Sequence, residues 1–449
     1  MKRKGDILLQ SEPFVHVLSH KQRGRRCDSC FKSGENLKRC TMCKVVRYCN
    51  AMCQKEDWTS HKGECPCLKR VFPDVPLDSV RLMLKLVLKQ KAGDNGQSVK
   101  NDIGWRNFSD FKSHSEEIKC DQNRTEQLSK IVFTLRKLLG DSSLPPGDKL
   151  METFGKMLIN SFTVCDGELQ PIGVAIYLSP SLLDHSCEPN AVVTFQGTKL
   201  TVRAIKDIPD PSPANISISY VDQLATKAER QRQLSEQYYF TCQCSRCNDN
   251  SLDREMLGVK CQSGGCQGYH SRREDNHFGN CKECGYGGKN IRNEDVEQFY
   301  EACLECLRKI KEASKTDPAE VLQMCKQCEE KQNKFFTDHN VHCTQLLVKA
   351  FDAGIDSGQW TTALQHGLRV QQSYRKFYPP NSPHVGIELM KVGKIQLYLE
   401  QCPQALMTLQ QAEKILLITH GRSHPVYDDL AELIHQCTEE MRVRMSIQD

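Results

Sequence analysis

The chain reads as an α+β protein with a β-rich centre, several cysteine-held modules and a C-terminal part that is helical throughout. Three observations predict this. Four cysteine-bearing blocks alternate with helical stretches along the 449 residues. Short β-branched runs bounded by Gly, Pro and Asn fill the stretch from about 160 to 222. From about residue 290 onward the apolar residues keep helical spacing, and a helix-hairpin pattern recurs.

At roughly 100–200 residues per domain, the length suggests two to four domains. Apolar residues make up 39% and charged residues 26%, which suits a chain that folds around a sizeable core. A net charge of +5 is small for this length and does not demand a nucleic-acid partner. No run of about 18 apolar residues exists, so no membrane span is expected. Met1-Lys2-Arg3-Lys4-Gly5 is basic but has no apolar stretch behind it. It is read as a solvated terminus, with a nuclear signal as the alternative, and not as a secretory signal. The 25 cysteines are odd in number, and many form C-x2-C pairs with histidines nearby. In a reducing compartment their thiolates are free for metal, and the expected locations are cytoplasm and nucleus.

The first block reads Cys27-x2-Cys30, Cys40-x2-Cys43, Cys49-x3-Cys53 and His61-x3-Cys65. Eight soft or borderline ligands make two closed, four-coordinate zinc sites, structural because no position is left for water. So short a segment lacks a core, and the metals supply most of its folding energy. Helical spacing follows. Leu82, Leu86 and Leu88 lie on one amphipathic segment; Leu128, Ile131, Val132, Leu135, Leu138 and Leu139 lie on another that ends at Gly140. Leu144-Pro145-Pro146-Gly147 breaks the chain. Ala191–Phe195 and Ile216–Tyr220 then read as short strands.

Cys242, Cys244 and Cys247 form a compact triplet. Cys261-x4-Cys266 and Cys281-x2-Cys284 lie among Gly264, Gly265, Gly268 and Gly285, which allow the tight knuckles a thiolate cage needs. A further structural zinc is expected there. Cys303-x2-Cys306 and Cys325-x2-Cys328 also have zinc spacing. They fall inside amphipathic helices, so they are read as buried small side chains. Asp317-Pro318-Ala319-Glu320 is a helix start. Farther on, Gly358–Leu364 echoes Glu400–Leu406, and Ser382-Pro383-His384-Val385 echoes Ser423-His424-Pro425-Val426. A period near 41–42 residues points to hairpins of the tetratricopeptide type.

The first block resembles the MYND finger, down to Arg47-Tyr48-Cys49 and Cys53-Gln54-Lys55-x2-Trp58-x2-His61-Lys62. The central motifs are Asn160-Ser161-Phe162-Thr163, Asp184-His185-Ser186-Cys187-Glu188-Pro189-Asn190, Ile218-Ser219-Tyr220-Val221-Asp222 and Tyr238-Tyr239-Phe240-Thr241-Cys242. In that order they resemble the SET domain of the SET-and-MYND family of protein lysine methyltransferases. The resemblance covers residues from about 4 to 250, with the finger interrupting SET as in that family.

It implies interleaved finger ligands: Cys27, Cys30, Cys49 and Cys53 on one zinc, Cys40, Cys43, His61 and Cys65 on the other. It also implies that Cys187 completes a post-SET zinc with Cys242, Cys244 and Cys247, three thiolates being one short of a tetrahedron. With the Cys261, Cys266, Cys281 and Cys284 site, four zinc ions are expected. The implied cofactor is S-adenosylmethionine. The backbone at His185 would read its adenine, Phe240 would stack on that ring, Asn160 and Asp184 would meet the methionine end, and His114 would lie near the ribose. Tyr220 and Tyr238 match the channel tyrosines, with Tyr220 the essential one.

The implied segments are 1–26 (remnant of the SET front), 27–65 (finger), 66–150 (helical insert), 151–225 (SET core), 226–250 (post-SET), 251–290 (zinc-ribbon-like insert) and 291–449 (tetratricopeptide-like helices). The implied partners are a histone or non-histone protein lysine, proline-rich peptides at the finger, and a chaperone or other peptide at the helices. No membrane is expected, and no DNA-recognition helix is evident.

The sequence also departs from the family pattern. Lys4-Gly5-Asp6-Ile7-Leu8 matches the stretch after the family's Gly-rich opening turn, so that turn is expected to be missing. Asp184 replaces an Asn, Lys112 stands at an often acidic ribose contact, and Asp210–Asn215 replaces a Gly-Glu-Glu-Leu turn. These departures carry the alternative reading, a catalytically inactive zinc-dependent adaptor in transcriptional regulation.

Overall fold

The computed structural model of the chain describes residues 1–96, 104–273, 275, 277–313 and 317–448. They form two compact units. One comprises 1–218 and 234–241; the other comprises 219–233 and the chain from 242 onward. Among the described residues no helix is long and apolar enough to cross a membrane.

The first unit opens with strands β1 (Ile7–Ser11) and β2 (Val15–Leu18). The cysteine block adds two short strands, β3 (Lys38–Arg39) and β4 (Arg47–Tyr48), and the helix α1 (Ala51–Val71). Helices α2 (Asp78–Lys91), α3 (Ser115–Cys120), α4 (Gln122–Leu139) and α5 (Gly147–Asn160) follow. Strands β5 (Ser161–Cys165), β6 (Pro171–Ile176), β7 (Asp184–His185), β8 (Ala191–Gln196), β9 (Lys199–Ala204) and β10 (Ser217–Ile218) complete it. Two antiparallel three-stranded sheets form, in the orders β1-β9-β8 and β2-β6-β5. In β9, Leu200, Val202 and Ala204 are buried in alternation, the period of two of a half-buried strand.

Two expectations change here. The strand foreseen over Ile216–Tyr220 is only Ser217–Ile218, which pairs in parallel with β7 so that Ile218 lies opposite His185. Ser219 then turns to donate its hydroxyl to the Val221 carbonyl (2.8 Å), and the ladder stops. Tyr220 therefore sits beyond the strand end. The second change is α2, expected to bury one face. It is buried all round from Val80 to Val87, Arg81 and Lys85 included, because α1, α4, α5 and β2 all pack on it. By contrast α4 is one-faced, with Leu128, Ile131, Leu135 and Leu138 buried, and it ends at Gly140 in a positive-φ conformation.

Helix α6 (Lys227–Tyr238) carries the chain to Tyr239 and Phe240. In the second unit α7 (Ser245–Asn248) and α8 (Ser251–Met256) precede a hairpin of β11 (Val259–Lys260) and β12 (Tyr269–His270). Seven helices follow: α9 (Asn293–Ala313), α10 (Pro318–Gln332), α11 (Val341–Asp356), α12 (Trp360–Phe377), α13 (Pro383–Tyr398), α14 (Cys402–Thr419) and α15 (Pro425–Gln448). Each packs against the next. The cap of α10 forms as the sequence indicates, Asp317 Oδ1 accepting the Ala319 N–H at 3.0 Å.

The repeat is structural too. Gly358 (φ 69°) and Glu400 (φ 59°) take the same left-handed conformation. The next residues, Gln359 and Gln401, cap α12 and α14 at φ −85° each. Small residues let the helices close up: a Cβ on Gly393 would lie 2.6 Å from the Leu409 side chain.

The later cysteine pairs pack as the sequence indicates: Cys303 and Cys325 are buried, and Cys306 and Cys328 are partly buried where α9 and α10 face each other. The i, i+3 spacing places one cysteine of each pair in the core and turns the other toward the facing helix.

Candidate active site and zinc centres

In the finger, the residues foreseen as ligands converge as two separate sets. Cys27, Cys30, Cys49 and Cys53 hold their sulfurs within 4.8 Å of one another, as do the donor atoms of Cys40, Cys43, His61 and Cys65. The Cys30–Cys49 and Cys40–Cys65 sulfur separations are 3.8 and 3.7 Å. A tetrahedron with zinc–sulfur bonds of about 2.3 Å has edges of about 3.8 Å, so the donors fit zinc. The second set is fully buried, and His61 turns Nε2 to Cys43 Sγ at 3.5 Å. Helix α1 presents Cys53, His61 and Cys65 from one face, its start fixed by Asn50 accepting the Cys53 N–H.

The second unit holds another such set. Cys261, Cys266, Cys281 and Cys284 lie within 4.8 Å, with Cys261–Cys284 at 3.6 Å and Cys266–Cys281 at 3.7 Å. Backbone N–H groups of Ser263 and Gly268 point at the Cys261 and Cys266 sulfurs (3.4 and 3.3 Å), which suits thiolates. Gly268 is needed there, since its Cβ would meet Cys281 Sγ at 2.7 Å. The Cys242, Cys244 and Cys247 knuckle is pinned by one side chain. Gln231 donates to the Cys242 carbonyl (2.6 Å) and accepts from its N–H (2.9 Å). In the first unit Cys187 is wholly buried, with His185 Nε2 3.2 Å from its sulfur.

The residues foreseen around a cofactor lie largely in the first unit. His185 on β7 and Phe240 after α6 bring their rings to a centroid distance of 6.0 Å. His114, half-buried and in the left-handed region at φ 47°, begins α3 and stacks on Tyr239 at 5.5 Å. Its Nδ1 is 3.1 Å from Glu117. Asn160 ends α5, and its amide donates to the carbonyls of Lys156 (2.9 Å) and Lys112 (3.4 Å). That leaves its Oδ1 to accept. Asp184 is exposed beside His185, and Lys112 is exposed. Burial pushes the Tyr238 phenol above its ordinary value, so it stays a neutral hydroxyl. Tyr220 is half-buried in the other unit.

The finger geometry has its counterpart in known proteins: the MYND finger model matches residues 27–65. Histone-lysine N-methyltransferase SMYD3 of Homo sapiens is 35% identical over 446 residues, 98% of this chain and 94% of its own. The chain belongs to the SET-and-MYND family of lysine methyltransferases. The Mus musculus protein of the same name is 33% identical over the same shares. N-lysine methyltransferase SMYD2 of Homo sapiens is 28% identical across 96% of this chain and 93% of its own.

Three residues of this family member went unnoticed in the sequence. Gly155 looks like a helix defect, yet a Cβ there would sit 1.9 Å from the Ser113 carbonyl oxygen. It lets α5 close on the loop that carries His114. Glu64 and Arg81 lie fully buried beside the finger and bond to each other. A buried Arg carries no spacing signal, whereas a Glu three residues after a ligating His could have been noted.

Proposed function

We propose that the chain is an S-adenosylmethionine-dependent protein-lysine N-methyltransferase acting on histone or non-histone proteins. The observation that carries this is the 35% identity to a histone-lysine N-methyltransferase across 98% of the chain, which spans every motif residue above. When bound, the cofactor supplies a methyl group on a sulfonium. Phe240 offers a face for the adenine, the backbone at His185 reads its edge, Asn160 Oδ1 and Asp184 accept from the ammonium, and His114 lies by the ribose. Tyr220 and Tyr238 are proposed as the tyrosines that hold the neutral amine in line through uncharged hydroxyls. A desolvated channel favours that neutral amine, and catalysis is mostly positioning.

Cys187 is assigned as the fourth ligand to Cys242, Cys244 and Cys247, since a buried thiol supplies what three thiolates lack. The seven-segment division from 1–26 to 291–449 is proposed with it. So are proline-rich peptides at the finger, a chaperone or other peptide at the helices, and residence in cytoplasm and nucleus. A second reading, an inactive adaptor, is favoured by Lys112 and Asp184. Calorimetric titration of the zinc-loaded chain with S-adenosylmethionine, followed by methyl transfer to histone and non-histone substrates, decides between them. Saturable binding and transfer, both lost in Phe240→Ala, support the enzyme. A folded, zinc-replete chain that does neither leaves the adaptor.

A further inference from the structure

Helix α2 lies outside the residues matched by the finger model, yet it sends a charged side chain against the finger's interior. Arg81 is 1% exposed and Glu64 0%. Arg81 grips both carboxylate oxygens of Glu64, Nε to Oε1 at 2.8 Å and Nη2 to Oε2 at 3.2 Å. Its remaining nitrogen, Nη1, lies 3.7 Å from Asp28 Oδ1. Asp28 follows the ligand Cys27, and Glu64 precedes the ligand Cys65. One guanidinium thus joins carboxylates that neighbour both zinc sites.

Glu64 also faces His61. Its Oε2 is 3.5 Å from His61 Nδ1, a charge contact not aligned as a hydrogen bond, while Nε2 of the same ring points at Cys43. An imidazole that ligates through Nε2 keeps its proton on Nδ1. A carboxylate facing that proton favours this tautomer. A carboxylate in so dry a place keeps its charge only if cations compensate it. Arg81 does so, and Lys85 Nζ stands 3.8 Å away.

We infer that Glu64, clamped by Arg81 of α2, is the positioning residue for His61, so that the Cys40, Cys43, His61 and Cys65 zinc site is completed from outside the finger. This rests on the fit of the four donors to zinc and is independent of the methyltransferase reading.

The test uses the full chain, with zinc affinity read by competition against a chromophoric chelator and site identity by the visible spectrum after cobalt substitution. Glu64→Gln weakens one finger site by about 10–100-fold and alters the spectrum of the thiolate–imidazole site, leaving the all-thiolate site unchanged. Arg81→Lys, which keeps the charge but loses the fork, weakens the same site less. The double variant Arg81→Met with Glu64→Gln removes the cation and its forked carboxylate together, leaving Lys85 as the cation nearest Asp28, and it decides the matter if Glu64→Gln alone does not fold. Wild-type zinc affinity and spectrum in that variant, or equal weakening of both finger sites, overturns the inference.

Discussion

Phe240 and Tyr220 are the side chains on which the proposed chemistry turns, and each has its own measurement. Phe240→Ala removes the stacking face beside His185. Calorimetry is expected to show S-adenosylmethionine affinity at least about tenfold weaker, in line with about 1.4 kcal/mol of lost stacking and burial. Tyr220→Phe keeps the ring and loses one hydroxyl, so binding should hold while kcat falls by about 100-fold. Glu388 on α13 gives a pH prediction. It is buried, its Oε1 has no hydrogen-bond partner, and burial raises its carboxyl to about 8 although Lys391 opposes the shift. Its folded value lies above the unfolded one near 4.5, so the stability it leaves intact below that pH is lost as pH climbs through 8. Melting temperature should fall across that window, and Glu388→Gln should flatten the fall. A parallel fall in the variant would mean that Glu388 titrates normally.

Helix ends and joints are where the sequence spoke most clearly. The α10 start, the α4 stop at Gly140 and the α12/α14 repeat were legible because caps and left-handed residues have chemical signatures. Asp317→Ala should lower stability by about 1 kcal/mol, read as a shift of the denaturation midpoint. Glu400 holds a conformation that its repeat mate leaves to Gly358. Glu400→Gly is therefore expected to stabilise by about 0.5–1 kcal/mol, the relief of left-handed strain exceeding the added chain entropy. The short β10 was not legible. The β-branched run over Ile216–Tyr220 sets a propensity, but strand length depends on a partner, and β7 offers only two residues. The all-round burial of α2 was hidden for the same reason. Periodicity reports one face, and nothing local tells how many neighbours arrive.

For the molecule as a whole, metal is the quantity to count. Atomic emission should find four zinc ions per chain, and three in Cys281→Ser. Ligand spacing made the finger sites and the Cys261–Cys284 site readable, since a structural zinc takes four thiolate or imidazole ligands, whereas Cys187 was readable only through family likeness. The cofactor site was readable only through family likeness. The parts proposed for it come from α5, β7, the His114 loop and the end of α6, far apart in sequence, and no spacing links them. What shaped that site locally, such as Gly155 under the His114 loop, shows only once the chain is folded.

The Arg81–Glu64 fork bears on how portable the finger is. A peptide cut at the motif's edge, residues 27–65, would hold every zinc ligand yet leave its buried carboxylate without the counter-charge that α2 supplies. The boundary that a motif draws and the boundary at which a segment becomes self-sufficient differ here by one helix. A finger grafted into another protein, or studied alone, should carry the chain through Lys91 with it.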